Sequence, residues 1–300
     1  MPNELDEILA MQCGVLTSAQ ASRLVGEKRF RALVHRGRWQ QPYRGVVVTH
    51  NGPLSPDQTT WAHLLACPPG SVLGGLSALD QEGMTGFPPS GTYVVVHDKA
   101  RRPEIEGLIV HSSVYLDERD VHPLRVPPRT RRARSLVDGA SWSEPPRRAR
   151  AIILAGAQQG LVRTRDLRDA LSRRGTCRHR ALIVESYLDA AGGIQSLPER
   201  DFDSIRRWSG LPEPTRQRPV RRKDGRYYLD VAWDEYGLAI EIHGIPHMRV
   251  AQWDADLMRA NEIVIGGPKL LIFSSYAIRR ERAAVADQLV RLFVNAGWRG

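Results

Sequence analysis

The sequence predicts a multidomain chain that mixes α-helices and β-strands, in the α+β or α/β class. Three observations predict this class. The first 50 residues alternate short helical segments with a β-branched hairpin, residues 133–193 place apolar residues at helical spacing, and residues 227–243 alternate polar and apolar residues as strands do. A length of 300 residues is enough for two or three domains, each with its own core.

Arginine gives the chain a strong positive charge. The sequence has 43 Lys and Arg residues against 33 Asp and Glu residues, a formal net charge of +10. The excess lies in short clusters, at residues 129–134, 145–151, 172–180, 216–226 and 279–282. Such clusters indicate a polyanionic partner, because neutralised phosphates supply most of the non-specific affinity for nucleic acid. A coding bias toward arginine is the alternative that charge alone leaves open.

Cysteine usage and hydropathy predict the compartment. Cys13, Cys67 and Cys177 are scattered and show no paired spacing, so they predict neither a disulfide framework nor a zinc site. The first residues are acidic and amphipathic, and no apolar run reaches the length of a membrane-spanning helix. We therefore expect a cytoplasmic, nucleoid-associated protein with no membrane partner.

Residues 1–50 have the element order of a DNA-binding module. Thr17 and Gln20 form a capping-box pattern that begins a helix, and Gly26 ends it. A second, basic helix and a turn-rich hairpin follow. This order predicts a winged helix-turn-helix, whose second helix enters the major groove of double-stranded DNA. The predicted DNA-binding residues here are Lys28, Arg29, Arg31, Arg36, Arg38 and Arg44.

Three pieces of this module also carry a family likeness: GVLT, LVHRGRW and YRGVV. With the residues between them they resemble the N-terminal winged-helix domain of abortive-infection type IV antitoxins. The likeness continues more loosely to about residue 125. Such domains bind DNA and are typically autoregulatory, so the resemblance implies DNA binding. A generic three-helix unit whose arginines only meet solvent is the alternative.

Between its two ends the chain predicts a small α/β region and a helical region. Residues 59–82 have a helical pattern, and residues 91–98 and 107–115 have strand composition. Residues 133–193 predict helices with basic faces, which either lie against DNA or act as a spacer. We therefore divide the chain into four predicted domains, at residues 1–50, 51–132, 133–195 and 196–300.

A predicted hairpin near the C-terminus carries two opposed carboxylates. Its four-residue loop, residues 234–237, places Trp233 opposite Leu238. Counting outward places Asp230 opposite Glu241, with Cβ atoms about 5 Å apart. Period two puts both carboxylates on a polar face, while the alternate residues form an apolar face that is committed to a core. Like charges in this arrangement repel one another.

A divalent cation would remove this repulsion, since Mg²⁺ takes one or two carboxylates together with waters and phosphate oxygens. We expect Asp230, Glu241 and the carbonyl of Ile242 to hold Mg²⁺, or Mn²⁺ in its place. A metal-bound water, deprotonated with help from His243 or His247, would then attack a phosphodiester. A solvated acidic pair beside turn histidines is the alternative.

Several stretches of the last hundred residues carry a second family likeness: LPERDF with Glu199, YYLDVAW with Asp230, LAIEIHGIPH with Glu241, and a following helix and strand. From about residue 196 to 296 they resemble the PD-(D/E)XK, or restriction-endonuclease-like, superfamily, and within it the very-short-patch-repair-like nicking endonucleases. The resemblance implies a mixed sheet flanked by helices, with Mg²⁺ on the two strand carboxylates. It also implies a water oriented by Glu199 and proton transfer by His243 and His247.

The predicted function is therefore a Mg²⁺-dependent DNA endonuclease, with the N-terminal module and the basic middle region holding the DNA. His243 stands where many superfamily members have lysine. This departure keeps open a DNA-binding regulator, or antitoxin-like protein, whose nuclease-like domain has no turnover. RNA as the substrate is a third alternative, which a winged helix disfavours. Further predicted DNA contacts near the C-terminal site are Arg221, Arg222, Trp253 and Arg259.

Overall fold

The computed structural model describes residues 4–97, 102–190, 199–221, 227–243, 261 and 270–300. Within these residues helices and strands mix in the α+β manner that the sequence predicts. Contacts divide the chain into two units, residues 1–152 with 159–183 and residues 153–158 with 184–300. No helix in the described ranges is long and apolar enough to cross a membrane. The division into four domains stays a prediction.

The N-terminal part of the first unit combines short helices with a small antiparallel sheet of order β1-β3-β2. Its elements are α1 (Glu4–Met11), β1 (Val15–Thr17), α2 (Ser18–Val25), α3 (Glu27–His35), β2 (Gln40–Tyr43) and β3 (Val46–Val48). The predicted capping box begins α2, because Thr17 Oγ1 accepts from the Gln20 amide and Gln20 Oε1 accepts from the Thr17 amide. Gly26 ends α2 at a φ of 85°, which favours glycine.

Helix α3 packs on this sheet through the apolar face that the sequence predicts. Phe30 is buried with Leu16, Ala21 and Val47, and Val34 packs beside them. Because residues three and four apart share a helix face, the same packing turns the positions around Ala32 away from the core. The basic residues of α3 are at those outward positions.

The chain continues through a second small sheet and a run of helices. These elements are α4 (Pro56–Ala66), β4 (Val72–Leu73), α5 (Gly75–Asp80), β5 (Thr92–His97), β6 (Leu108–Ser113), a 3₁₀ turn (Glu118–Asp120), α6 (Arg132–Trp142), α7 (Pro146–Gln158), α8 (Thr164–Arg174) and α9 (Arg180–Ala190). Strand β5 pairs antiparallel with β4 and parallel with β6. The predicted strands and the helical pattern of the middle region are confirmed.

One expectation for this region is wrong, because residues 59–82 do not form a single helical stretch. Helix α4 ends before Cys67, and strand β4 separates it from α5. Pro68 and Pro69 follow Cys67 directly, and proline both lacks the amide proton that a helix needs and restricts the residue before it. Gly75 then begins α5 against Trp142, whose ring lies 2.3 Å from where a Cβ would be.

The second unit contains a four-stranded sheet of order β10-β9-β8-β7 among its described residues. Its elements are α10 (Glu199–Trp208), β7 (Arg216–Arg221), β8 (Tyr227–Trp233), β9 (Leu238–His243), β10 (Leu270–Ser274), α11 (Ser275–Arg280) and α12 (Arg282–Asn295). Strands β7, β8 and β9 are antiparallel neighbours, and β10 runs parallel to β9. Strand β7 was predicted only as a basic cluster.

The apolar face of the β8–β9 hairpin forms the core of the second unit, as predicted. Phe202 of α10 and Phe293 of α12 pack against this face. Burying these large side chains supplies most of the hydrophobic stabilisation of the unit. The buried hairpin residues are Val231, Trp233, Leu238, Ile240 and Ile242.

A buried amide lies against β10, which is an outer strand of the sheet among the described residues. Asn261 Nδ2 donates to the Ile272 carbonyl at 2.8 Å, and the Ile272 amide donates to Asn261 Oδ1 at 2.9 Å. Asn261 Nδ2 also donates to Gln288 Oε1 of α12 at 3.2 Å. Only 2% of Asn261 is exposed, so these bonds satisfy a side chain that has little access to water.

Candidate functional site

The outward side of α3 and the segment after it form an exposed basic surface. Between Gly26 and Gly45 the chain has six basic residues and one acidic residue, Glu27. Arg31 pairs with Glu27 at 2.7 Å, and the other five basic residues form no ion pair with any residue that the structure describes. The exposed basic residues are those predicted to bind DNA, Lys28, Arg29, Arg31, Arg36, Arg38 and Arg44.

The β2–β3 hairpin presents Arg44 at its turn. Tyr43 lies opposite Val46 where the two strands meet. The Tyr43 hydroxyl bonds to His63 Nε2 of α4 at 3.0 Å, which ties the end of the hairpin to the rest of the unit. Arg44 therefore lies on a turn that the bond of the neighbouring Tyr43 holds in place.

Two arginines of the cluster at residues 129–134, Arg129 and Arg134, face inward instead, whereas Arg131 is exposed. Only 5% of Arg129 and 1% of Arg134 is exposed. Arg129 and Arg132 lie 3.3 and 2.7 Å from the Glu82 carboxylate, which Arg125 also approaches at 3.2 Å. Arginines of this cluster therefore neutralise an internal carboxylate.

A second internal network joins α6, α8 and the 3₁₀ turn around Arg134. Arg134 donates to Asp120 at 2.9 Å and to Asp138 at 2.7 Å. Arg173 reaches Asp120 at 2.6 Å, and Arg174 reaches Asp138 at 2.7 Å. Both carboxylates are fully buried, so they depend on these arginines for neutralisation.

The polar face of the C-terminal sheet carries the predicted carboxylate pair. Asp230 of β8 lies opposite Glu241 of β9, which confirms the predicted register. The next pair along the same face is Ala232 and Ala239, both half-buried. Two opposed carboxylate positions beside small residues fit a divalent cation, which prefers oxygen ligands and brings its own waters.

The register of β7 adds a basic residue to this row. Arg218 lies opposite Asp230, so one line across the sheet reads Arg218, Asp230, Glu241 and Ile272. The sequence analysis missed Arg218, although basic residues at positions 216 and 218 alternate with the period of a strand. The predicted contact Arg221 lies opposite Tyr227, and so falls on the other face by the same register.

The remaining predicted site residues divide into two groups. Glu199 begins α10 and His243 ends β9; for these two residues and for Asp230, the structure describes the backbone. Ile242 lies within β9, opposite Leu229 of β8. The predicted residues outside the described part of the chain are His247, Arg222, Trp253 and Arg259.

Comparison with known proteins assigns no family to the chain. No protein-family model matches it, and a search of the curated proteins finds no significant match. We therefore infer its function from the residues and distances of the chain itself.

Proposed function

We propose that this protein is a Mg²⁺-dependent DNA endonuclease that nicks or cleaves duplex DNA. The observation that carries the proposal is the β8–β9 register, which opposes Asp230 and Glu241 on the face that the core does not use. Two like charges at directly opposed positions of a hairpin repel one another. Their retention beside a well-formed core favours a role in binding a cation.

In this proposal the metal ligands are Asp230, Glu241 and the carbonyl of Ile242, with Mn²⁺ able to replace Mg²⁺. The bound ion supplies a Lewis acid and a water of lowered pKa. His243 is two residues beyond Glu241, and therefore on the same face of β9. We assign proton transfer from the attacking water to His243 and His247, and orientation of that water to Glu199.

Arg218 is the residue to which we assign the positive charge that many superfamily members obtain from lysine. Its support is positional, because Arg218 lies opposite Asp230 in the row that contains the carboxylate pair. A guanidinium group can bind a phosphate through two parallel hydrogen bonds. A fixed cation beside the metal ligands would therefore bind the scissile phosphate and offset its charge.

The N-terminal module is the proposed DNA-targeting part. Its support is the exposed basic surface around α3, together with the order of helices and hairpin that winged helix-turn-helix proteins use. In this arrangement α3 enters the major groove with the small Ala32 at its centre, and Arg44 on the hairpin meets the adjacent backbone. The dependence of DNA affinity on salt concentration measures contacts of this kind.

The test is nicking of supercoiled plasmid by the purified full chain in Mg²⁺, Mn²⁺ or EDTA. We expect metal-dependent nicking by the wild type, and a loss of at least about a thousandfold in the variant Asp230→Asn/Glu241→Gln. The matched control is Asp234→Asn/Glu235→Gln, which removes the same charge from the exposed loop of the same hairpin. The control should nick plasmid at the wild-type rate, and all three proteins should still bind DNA.

Two outcomes would contradict the proposal. Nicking by Asp230→Asn/Glu241→Gln at the wild-type rate would mean that the metal site is wrongly assigned. No nicking with any metal, combined with salt-sensitive DNA binding by all three proteins, would favour a DNA-binding regulator of the antitoxin-like kind. The exposed basic surface around α3 supports that second candidate, because it does not depend on the C-terminal site.

The assignment of Arg218 is tested against Arg216, its neighbour on the same face of β7, which lies opposite Ala232. We expect Arg218→Ala to slow nicking by roughly 10- to 100-fold, Arg218→Lys to restore part of the rate, and Arg216→Ala to change it little. DNA affinity measured in Ca²⁺, as a binding assay that does not depend on cleavage, should be similar for all variants. Equal slowing by both alanine variants would overturn the assignment.

A further inference from the structure

A cavity of about 530 Å³ lies within the first unit, between α4, α5 and the loops that precede β5 and β6. Its volume is in the range of cavities that hold small molecules. Tyr43 of the β2–β3 hairpin forms part of its wall, so the cavity also borders the exposed basic surface.

The charge of this cavity is opposite to that of the chain. Asp80 and Glu106 line it, and no lysine or arginine among the described residues does. Both carboxylates belong to exposed residues, so solvated ligands can reach them. In a chain of formal charge +10, a cavity whose described ionised side chains are acidic selects against anions such as phosphate.

Three hydroxyl groups in the wall already donate their protons to the backbone. Thr59 Oγ1 donates to the Ser55 carbonyl and Thr60 Oγ1 to the Pro56 carbonyl, each at 3.0 Å. Ser77 Oγ donates to a loop carbonyl at 3.1 Å. A hydroxyl whose proton is used in this way has only its lone pairs left for a ligand, so these groups act as acceptors.

The histidine in the wall adds no positive charge. His63 is 2% exposed, and its ring nitrogens bond to Thr92 Oγ1 at 2.8 Å and to the Tyr43 hydroxyl at 3.0 Å. Burial lowers the pKa of His63, which keeps the ring neutral near pH 7. Burial and then the Glu106 charge raise the pKa of Tyr43, so the phenol also stays protonated.

We propose that this cavity binds an organic cation, an alkylammonium group on a short apolar stem. An ammonium group has three donors and no acceptor, which complements a wall of carboxylates and hydroxyl lone pairs. Leu54, Pro89 and the Tyr43 ring give the stem an apolar surface. The group can belong to a free amine or to a lysine side chain of a partner protein, because both present the same chemistry.

The test is titration of the full chain with n-butylammonium chloride, followed by the chemical shifts of backbone amides in α4 and α5. We expect saturable shifts with a dissociation constant on the order of millimolar, which suits a ligand of this size. At constant ionic strength 1-butanol should cause no saturable shift. The variant Asp80→Asn/Glu106→Gln should bind n-butylammonium at least about tenfold more weakly.

The matched control is Glu104→Gln/Glu118→Gln, which removes two exposed carboxylates of the same unit that do not line the cavity. Normal binding of n-butylammonium by this control supports a specific site. Equal weakening in both double variants would show that only the net charge of the unit matters, and would overturn the proposal. Equal binding of n-butylammonium and 1-butanol would also overturn it. Tighter binding of N-acetyl-lysine methylamide than of n-butylammonium would identify a lysine side chain as the source, and the reverse would identify a free amine.

Discussion

Two arginine-rich regions of the chain use the same residue type in opposite ways. From Lys28 to Arg44 the basic side chains are exposed, and most of them have no acidic partner among the described residues. Near residues 129–134 and 173–174 the arginines surround buried carboxylates. The first region contributes to the electrostatic field of the surface, whereas the second neutralises charge inside the protein. A cluster of arginines in a sequence therefore does not by itself indicate a surface for nucleic acid.

The largest effect is expected from Asp120→Asn in the internal network. The substitution keeps the shape of the side chain but removes the charge that Arg134 and Arg173 share. Arg134 keeps its bond to Asp138, but removing one charged partner from a buried ion-pair network destabilises a protein by about 3 to 5 kcal/mol. Urea-dependent hydrogen exchange of the amides in α6 and α8 measures this change. If their protection were unaffected, the arginines of this region would not be internal, and the comparison would fail.

The next largest effect is expected in DNA binding from Lys28→Ala/Arg29→Ala/Arg36→Ala. Removing three of the proposed phosphate contacts should weaken binding to duplex DNA by roughly 10- to 100-fold, and should reduce the slope of log affinity against log salt by about 2 to 3. Fluorescence anisotropy over a range of salt concentrations measures both quantities.

The control for that experiment takes its three arginines from the middle of the chain. Arg119→Ala/Arg125→Ala/Arg132→Ala removes the same charge, but each of these side chains pairs with Asp117 or Glu82. We expect little loss of DNA affinity in this variant. Equal weakening in both variants would mean that the middle region binds DNA as well, contrary to the distinction drawn between the two regions.

A smaller effect should appear when the pH is lowered, because burial and the nearby charges of Arg174 and Arg102 disfavour protonation of His111. Burial, and then the charges of Arg174 and Arg102, lower the pKa of His111 to about 4. The unfolded chain takes up this proton near pH 6.5, so His111 favours the folded state fully above that pH and loses its contribution between 6.5 and 4. Thermal unfolding from pH 7 to 4.5 should show a shallower fall for His111→Phe, which keeps a ring against Trp142. If thermal stability fell equally with pH in the wild type and in His111→Phe, the lowered pKa of His111 would be contradicted.

The smallest effect is expected for Arg31→Ala, which removes the exposed pair with Glu27. Exposed ion pairs between residues four apart are screened by solvent and contribute little, so the free energy of unfolding should change far less than in Asp120→Asn. Urea unfolding followed by circular dichroism is sufficient to measure it. A loss approaching that of Asp120→Asn would show that burial does not separate the two regions.

Local rules explain which parts of this chain the sequence predicts. The capping box joins Thr17 to Gln20, three positions apart, and a loop length fixes the register that opposes Asp230 and Glu241. The internal networks depend on distant residues, since Arg173 reaches Asp120 across 53 positions of sequence. No local pattern distinguishes such an arginine from a solvated one.

Other features had a local signal that the sequence analysis did not use. Pro68 and Pro69 mark the end of α4, and the spacing of Arg216 and Arg218 has the period of a strand. The register of β7 with β8, and therefore the position of Arg218, required the fold. A strand at the edge of a sheet has too few apolar residues to fix its pairing from sequence alone.

The amide of Asn261 has a consequence for how this protein behaves among its own copies. An outer strand with unpaired backbone groups is a template on which another chain can add a strand, the first step of many aggregates. At Ile272 both the amide and the carbonyl of β10 are already taken by one side chain, which Gln288 holds in place. An incoming strand would have to expel a buried carboxamide before it could bond there, so this side chain protects the middle of β10 against intermolecular pairing.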